Sequence, residues 1–95
     1  MERFALSETA TDEVLTPAMI RAARALLGLD QAEVAERAGL KQNTISKLEV
    51  GADISTKDKR RQDALATIRK AFEQAGIEFI FPSATSGEGV RRRKR

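Results

Sequence analysis

Three spacings in the stretch Gln31 to Gly51, QAEVAERAGLKQNTISKLEVG, restrict what this chain can fold into: Ala35, then Gly39, then Ile45. They fit two short helices joined by a tight turn and crossing at a steep angle. Ala35 supplies the small residue where the two backbones approach. Gly39 tolerates the positive φ that the turn requires. Ile45 is a stiff apolar side chain on the second helix that can point back at the first. Val34, Ala38, Leu40 and Leu48 fill the other buried positions of the pair, and Gln31, Glu33, Glu36 and Arg37 stay outside.

The flanking segments read as support for this pair. Residues 1–15 are an acidic, polar lead with no convincing hydrophobic period, flexible or weakly helical. A helix starts at Pro17 behind Thr16 as N-cap and ends before Gly28. Ile20, Ala23 and Leu27 give it one apolar face, with Met19 and Leu26 beside them. Asp30 and Glu33 form a capping box for the first helix of the pair. The second, about Gln42 to Val50, lacks a good cap, because Lys41 stands where Ser or Thr would accept backbone N–H groups. A base there also opposes the helix dipole, which is easier to understand if Lys41 faces an external anion.

After a short connection, a long helix is expected from about Thr56 to Ala75, with Ser55 as cap and Asp58 completing a second box. Leu65, Ile68, Phe72 and Ala75 form its apolar stripe, flanked by Ala64 and Ala71. Past Gly76 the pattern switches to period two. Ile77, Phe79 and Phe81 share one face of a strand, Ile80 makes the other partly apolar, and Val90 begins a second strand. The expected organisation is a lead over 1–15, a helical domain over 16–76, and a strand or hairpin with a basic tail over 77–95. The fold class is mainly α with a short C-terminal β-strand or hairpin, and the family resemblance given below implies a bundle of four to five helices.

Ninety-five residues are enough for one small domain. The chain has no cysteine and no histidine, so thiolate metal sites, the usual zinc ligands and the commonest general base are missing. An enzyme is not expected, nor a cofactor or metal. No apolar run is long enough to cross a membrane, and a cytoplasmic location follows as the expectation. Charge is unevenly placed. Glu2, Glu8, Asp12 and Glu13 face only Arg3 in the lead, whereas Lys57, Lys59, Arg60, Arg61, Arg69 and Lys70 outnumber Asp58, Asp63, Glu73 and Glu78. The last stretch has Glu88 against Arg91, Arg92, Arg93, Lys94 and Arg95. Positive charge gathered after the helix pair favours a polyanionic partner.

Met19 to Gly51, with RAARALLGLDQAEVAERAGLKQNTISKLEVG at its centre, resembles the XRE family of lambda-repressor-like helix-turn-helix regulators. AFEQAGIEFI with GEGVRRR resembles a group of short bacterial members that carry a long helix followed by a strand pair. The two together cover about residues 17–93. The resemblance implies a compact helical bundle and sequence-specific binding of double-stranded DNA, usually as a homodimer. Two departures stand out: arginines replace a mixed apolar and basic end, and the acidic lead has no counterpart.

In the lambda-repressor-like arrangement the second helix of the pair lies in the major groove. Gln42, Asn43, Ser46 and Lys47 occupy the side opposite Ile45 and Leu48 and are the expected base contacts. Amides can pair bidentately with adenine, and lysine can donate to guanine O6 and N7. Lys41 and Thr44 are expected at phosphates. Gln31, first in its helix, is expected to hold a phosphate through its backbone N–H and side chain, as the matching residue does in the family. The resemblance makes Glu49 structural, paired with Arg21 or Arg24.

Lys57 and Arg60, in the first turns of the long helix where the dipole prefers acids, are the further phosphate candidates. The strand Ile77 to Phe81, with the helix bearing Phe72, is a candidate dimer interface. RRRKR at Arg91 to Arg95 could be a DNA arm, a second strand with a charged finish, or a solubilising tail. The expected function is a DNA-binding transcriptional regulator, a repressor on an operator of two half-sites. Alternatives are the DNA-binding antitoxin of a toxin–antitoxin pair, with a toxin as protein partner, and a protein-interaction module that keeps the fold.

Overall fold

A computed structural model describes residues 14–51 and 59–94. Their elements are α1 (Pro17–Leu27), α2 (Gln31–Ala38), α3 (Gln42–Val50), α4 (Lys59–Gln74), β1 (Ile77–Ile80) and β2 (Gly89–Arg92). The expected Ser55–Asp58 cap of the long helix falls outside the described residues.

Local chemistry accounts for the helix ends. The Thr16 hydroxyl accepts from the Met19 N–H at 3.1 Å, and Pro17 follows, where the lost N–H has no intrahelical use. Asp30 and Glu33 close the capping box in both directions, at 2.8 and 2.9 Å. Gly39 sits at φ 70°, and the chain turns there with the Leu40 N–H reaching the Ala35 carbonyl at 2.9 Å. Lys41 caps α3 without any side-chain hydrogen bond, as its residue type dictates.

The core gathers one face of every element. Met19, Ile20 and Ala23 of α1 meet Val34 and Ala35 of α2, Ile45 and Leu48 of α3, and Leu65, Ile68 and Phe72 of α4. Burying one such large side chain stabilises the fold by roughly 1.5–3 kcal/mol before entropy is counted. Leu15, placed in the polar lead by sequence, is only 3% exposed and belongs to this core. Leu26, expected beside the buried stripe, is 41% exposed instead. It follows Ala25 on the outer side of a narrow α1 face that Met19, Ile20 and Ala23 already fill.

The strand pair is antiparallel, with Ile77 opposite Arg92 and Ile80 opposite Gly89. β1 lies against α4 and β2 against α1. Ile77 and Phe79 point into the core, and Phe79 meets Phe72 edge-on with ring centroids 6.0 Å apart. Of the strand offered as a dimer interface, Ile77 and Phe79 are thus packed within the chain, whereas Glu78 and Ile80 face outward. The basic run is the second strand with a charged finish. Arg91 pairs with Glu78 at 2.5 Å, Arg92 donates to the Leu26 carbonyl at 3.4 Å, and Arg93 donates to the Glu73 carbonyl at 2.8 Å.

Candidate nucleic-acid interface

The period of α3 divides it into two sides. Ile45, Leu48 and Glu49 are buried, while Lys41, Gln42, Asn43 and Lys47 are exposed and Thr44 and Ser46 half-buried. Gln42, Asn43, Ser46 and Lys47 thus share the outward side, as their spacing requires. Gln42, Asn43 and Lys47 make no hydrogen bond or ion pair with any described residue, so their donors and acceptors remain available. Lys41 adds an uncommitted ammonium at the start of the helix, where the unbonded N–H groups of the first turn already favour an anion.

Behind that surface α3 is fixed at its other end by Glu49, which is 2% exposed. Arg24 grips the carboxylate with two nitrogens, Nε at 2.7 Å and Nη2 at 3.1 Å. The hydrogen bond to Glu49 is the main reason the Arg24 pKa is raised above its ordinary value, and burial of the guanidinium works against it. A third nitrogen of Arg24 donates to the Leu29 carbonyl at 3.1 Å. Arg21 donates to the Glu49 backbone carbonyl, one of the last carbonyls of α3, where a cation complements the helix dipole. Both arginines left open by the sequence are used, Arg24 on the carboxylate and Arg21 on the backbone.

Gln31 joins the same knot. Its Nε2 donates to Glu49 Oε1 at 3.1 Å, and the residue is half-buried rather than fully outside. Its backbone N–H, at the first position of α2, is without a partner among the described residues. The side-chain contact was missed in the sequence because eighteen positions separate the two residues, and no local pattern links them.

Gly51 ends α3 at φ 65°, and a Cβ there would come within 3.2 Å of Pro17 Cγ. The glycine lets the end of α3 close on the start of α1. Val50 beside it is 70% exposed and lies on the outward side, four residues beyond Ser46. Sequence reading counted no apolar residue on that side.

The remaining phosphate candidates divide. Arg60 is exposed in the first turn of α4, a helix that packs against α2 and β1. Lys57 falls outside the described residues.

Residues 20–59 match the family model described as helix-turn-helix. Over that stretch, less than half of the chain, the protein is similar to helix-turn-helix domains, which supports the resemblance to XRE, lambda-repressor-like regulators. No curated protein matches the chain. The matched segment holds α2, the Gly39 turn and α3 entire, together with the Arg24–Glu49 knot. It supports a DNA-binding regulator of double-stranded DNA. Among the described residues no helix is long and apolar enough to cross a membrane.

Proposed function

We propose that this protein is a sequence-specific transcriptional repressor that lays α3 in the major groove and acts as a homodimer on an operator of two half-sites. The observation that carries the reading is the outward side of α3, where two amides and an ammonium stand exposed and uncommitted. Gln42 and Asn43 read adenine by paired hydrogen bonds, Lys47 donates to guanine, and Ser46 serves either. Lys41 and Thr44 hold phosphates beside them. Gln31 contributes its free backbone N–H at the start of α2, where a helix N-terminus suits a phosphate oxygen. Its side chain is held by Glu49 and orients the contact rather than making it. Lys57 and Arg60 extend the backbone contacts, supplying affinity without sequence information. One helix pair covers one half-site, which is why the reading includes a dimer.

The test is selection of bound duplexes from a random library, followed by two variants of opposite kind. Asn43→Ala should lose about 1–3 kcal/mol on the selected site and relax discrimination at one base position. Arg60→Ala should weaken selected and scrambled duplexes alike and lower the slope of log K against log salt by about one. Equal affinity of the unaltered protein for selected and scrambled duplexes would overturn sequence-specific reading.

A further inference from the structure

Val50 stands on the outward side of α3 and has no part in the contacts proposed above. At roughly 100° per residue it falls between Ser46 and Asn43 around the helix, within the arc from Gln42 to Lys47 and opposite the buried Ile45 and Leu48. It is 70% exposed, more than any other large apolar side chain among the described residues. Single exposed apolar residues are ordinary on protein surfaces, so exposure alone says little. Position and anchoring say more. Glu49 before it is bound through its carboxylate by Arg24 and through its backbone carbonyl by Arg21, and Gly51 after it closes on Pro17. A β-branched side chain on a backbone held in this way has little rotamer freedom to lose on contact. Its side chain has no polar atom and can pair with neither a base edge nor a phosphate. The apolar group that base pairs present in the major groove is the thymine C5 methyl.

We infer that Val50 reads a thymine by packing against its C5 methyl, adding an apolar determinant to the amides and ammonium of α3. The inference rests on the placement of α3 in the major groove proposed above. From Asn43 to Val50 the helix rises about 10 Å, which spans roughly three stacked base pairs. The thymine therefore lies within about three base pairs of the position that Asn43 reads. Cytosine is disfavoured in its place, because it has no methyl and turns an amino group toward the groove, where Val50 offers it no acceptor.

The unaltered full chain and Val50→Ala are titrated with the duplex chosen by library selection, in which each thymine in turn is replaced by deoxyuridine. That replacement removes the methyl and nothing else. For the unaltered protein, one such duplex should bind about fourfold more weakly, the contribution of one buried methyl. Val50→Ala, whose side chain ends at Cβ, should bind the thymine duplex more weakly by a similar factor and lose most of the deoxyuridine penalty at that position. Its thermal midpoint should not fall, since Val50 is exposed and alanine is the better helix former. Asn43→Ala should keep the penalty there, which separates the two contacts. A deoxyuridine penalty of equal size in the unaltered protein and Val50→Ala at every thymine would overturn the inference. So would a Val50→Ala loss that is the same for thymine and deoxyuridine duplexes, by assigning Val50 to the sugar–phosphate edge. Either result, with the selected duplex still preferred over scrambled ones, leaves the proposed function standing. Absence of that preference in the unaltered protein would remove both.

Discussion

Two arginine–glutamate pairs hold opposite ends of this molecule, and separation is a poor guide to what each does. Arg91 and Glu78 of the hairpin approach to 2.5 Å, Arg24 and Glu49 to 2.7 Å. Their surroundings reverse that order. The hairpin side chains are 66% and 43% exposed, those of the helix-turn-helix pair 27% and 2%. Water and salt screen the outer pair and can replace either partner. Nothing replaces Arg24 at Glu49, whose carboxylate has only the Gln31 amide as a further described partner. Burial, rather than contact distance, decides which pair the fold depends on.

The largest effect should follow from removing the base of the inner pair. Arg24→Ala leaves the Glu49 carboxylate buried and nearly alone, and the loss of stability should be about 3–5 kcal/mol in urea unfolding. Glu49→Ala should cost less, because Arg24 is already more than a quarter exposed and can turn toward water. The asymmetry is the sharper half of the prediction. If Glu49→Ala proves the more damaging variant, desolvation of the carboxylate is not what governs this pair, and the contrast with the hairpin loses its basis.

What anchors the hairpin is its apolar face. Phe79, 9% exposed and set edge-on against Phe72, joins β1 to α4. Phe79→Ala should cost about 3 kcal/mol, toward the lower end for a phenylalanine truncation since a sheet edge can partly collapse. The same unfolding measurement checks it, and a cost no greater than that of Glu78→Gln would show that the outer ion pair does more for the hairpin than its exposure allows.

How much of this was legible in the sequence follows from how far apart the partners lie. Thr16 with Met19 and Asp30 with Glu33 act three positions apart, and Gly39 acts through its own φ, so each was readable from its neighbours alone. The apolar stripe of α4 and the inward side of β1 were readable for a similar reason, since period fixes face. Glu49 was assigned a structural role only through family resemblance. Sequence could not choose between Arg21 and Arg24, because both lie on the polar side of α1 and the choice depends on how α1 crosses α3. The fate of the arginine run was equally hidden. Arg92 and Arg93 end on the carbonyls of Leu26 and Glu73, and backbone acceptors carry no residue-type signal. For Gln42, Asn43 and Lys47 the outward placement was legible. What such side chains would read depends on a second molecule.

The smallest effect belongs to the outer pair, and pH is the way to see it. Hydrogen bonding to Arg91, and then its charge, holds the Glu78 pKa below the ordinary 4.5, while Arg91 is raised by the same contact. A carboxylate whose folded pKa is depressed stabilises the native state above its unfolded pKa. That contribution is lost as pH falls through the folded value. Unaltered protein should therefore have a slightly higher thermal midpoint than Glu78→Gln at neutral pH. The two should converge under acid conditions, and added salt should narrow the gap at neutral pH because both partners are exposed. The difference should be well below that of Phe79→Ala. A gap that survives both acid and high salt would have to come from something other than charge, such as a hydrogen bond to Arg91 that the carboxamide of Glu78→Gln makes poorly. In that case the two pairs would differ in kind, one ionic and one a hydrogen bond largely independent of charge, rather than in burial alone.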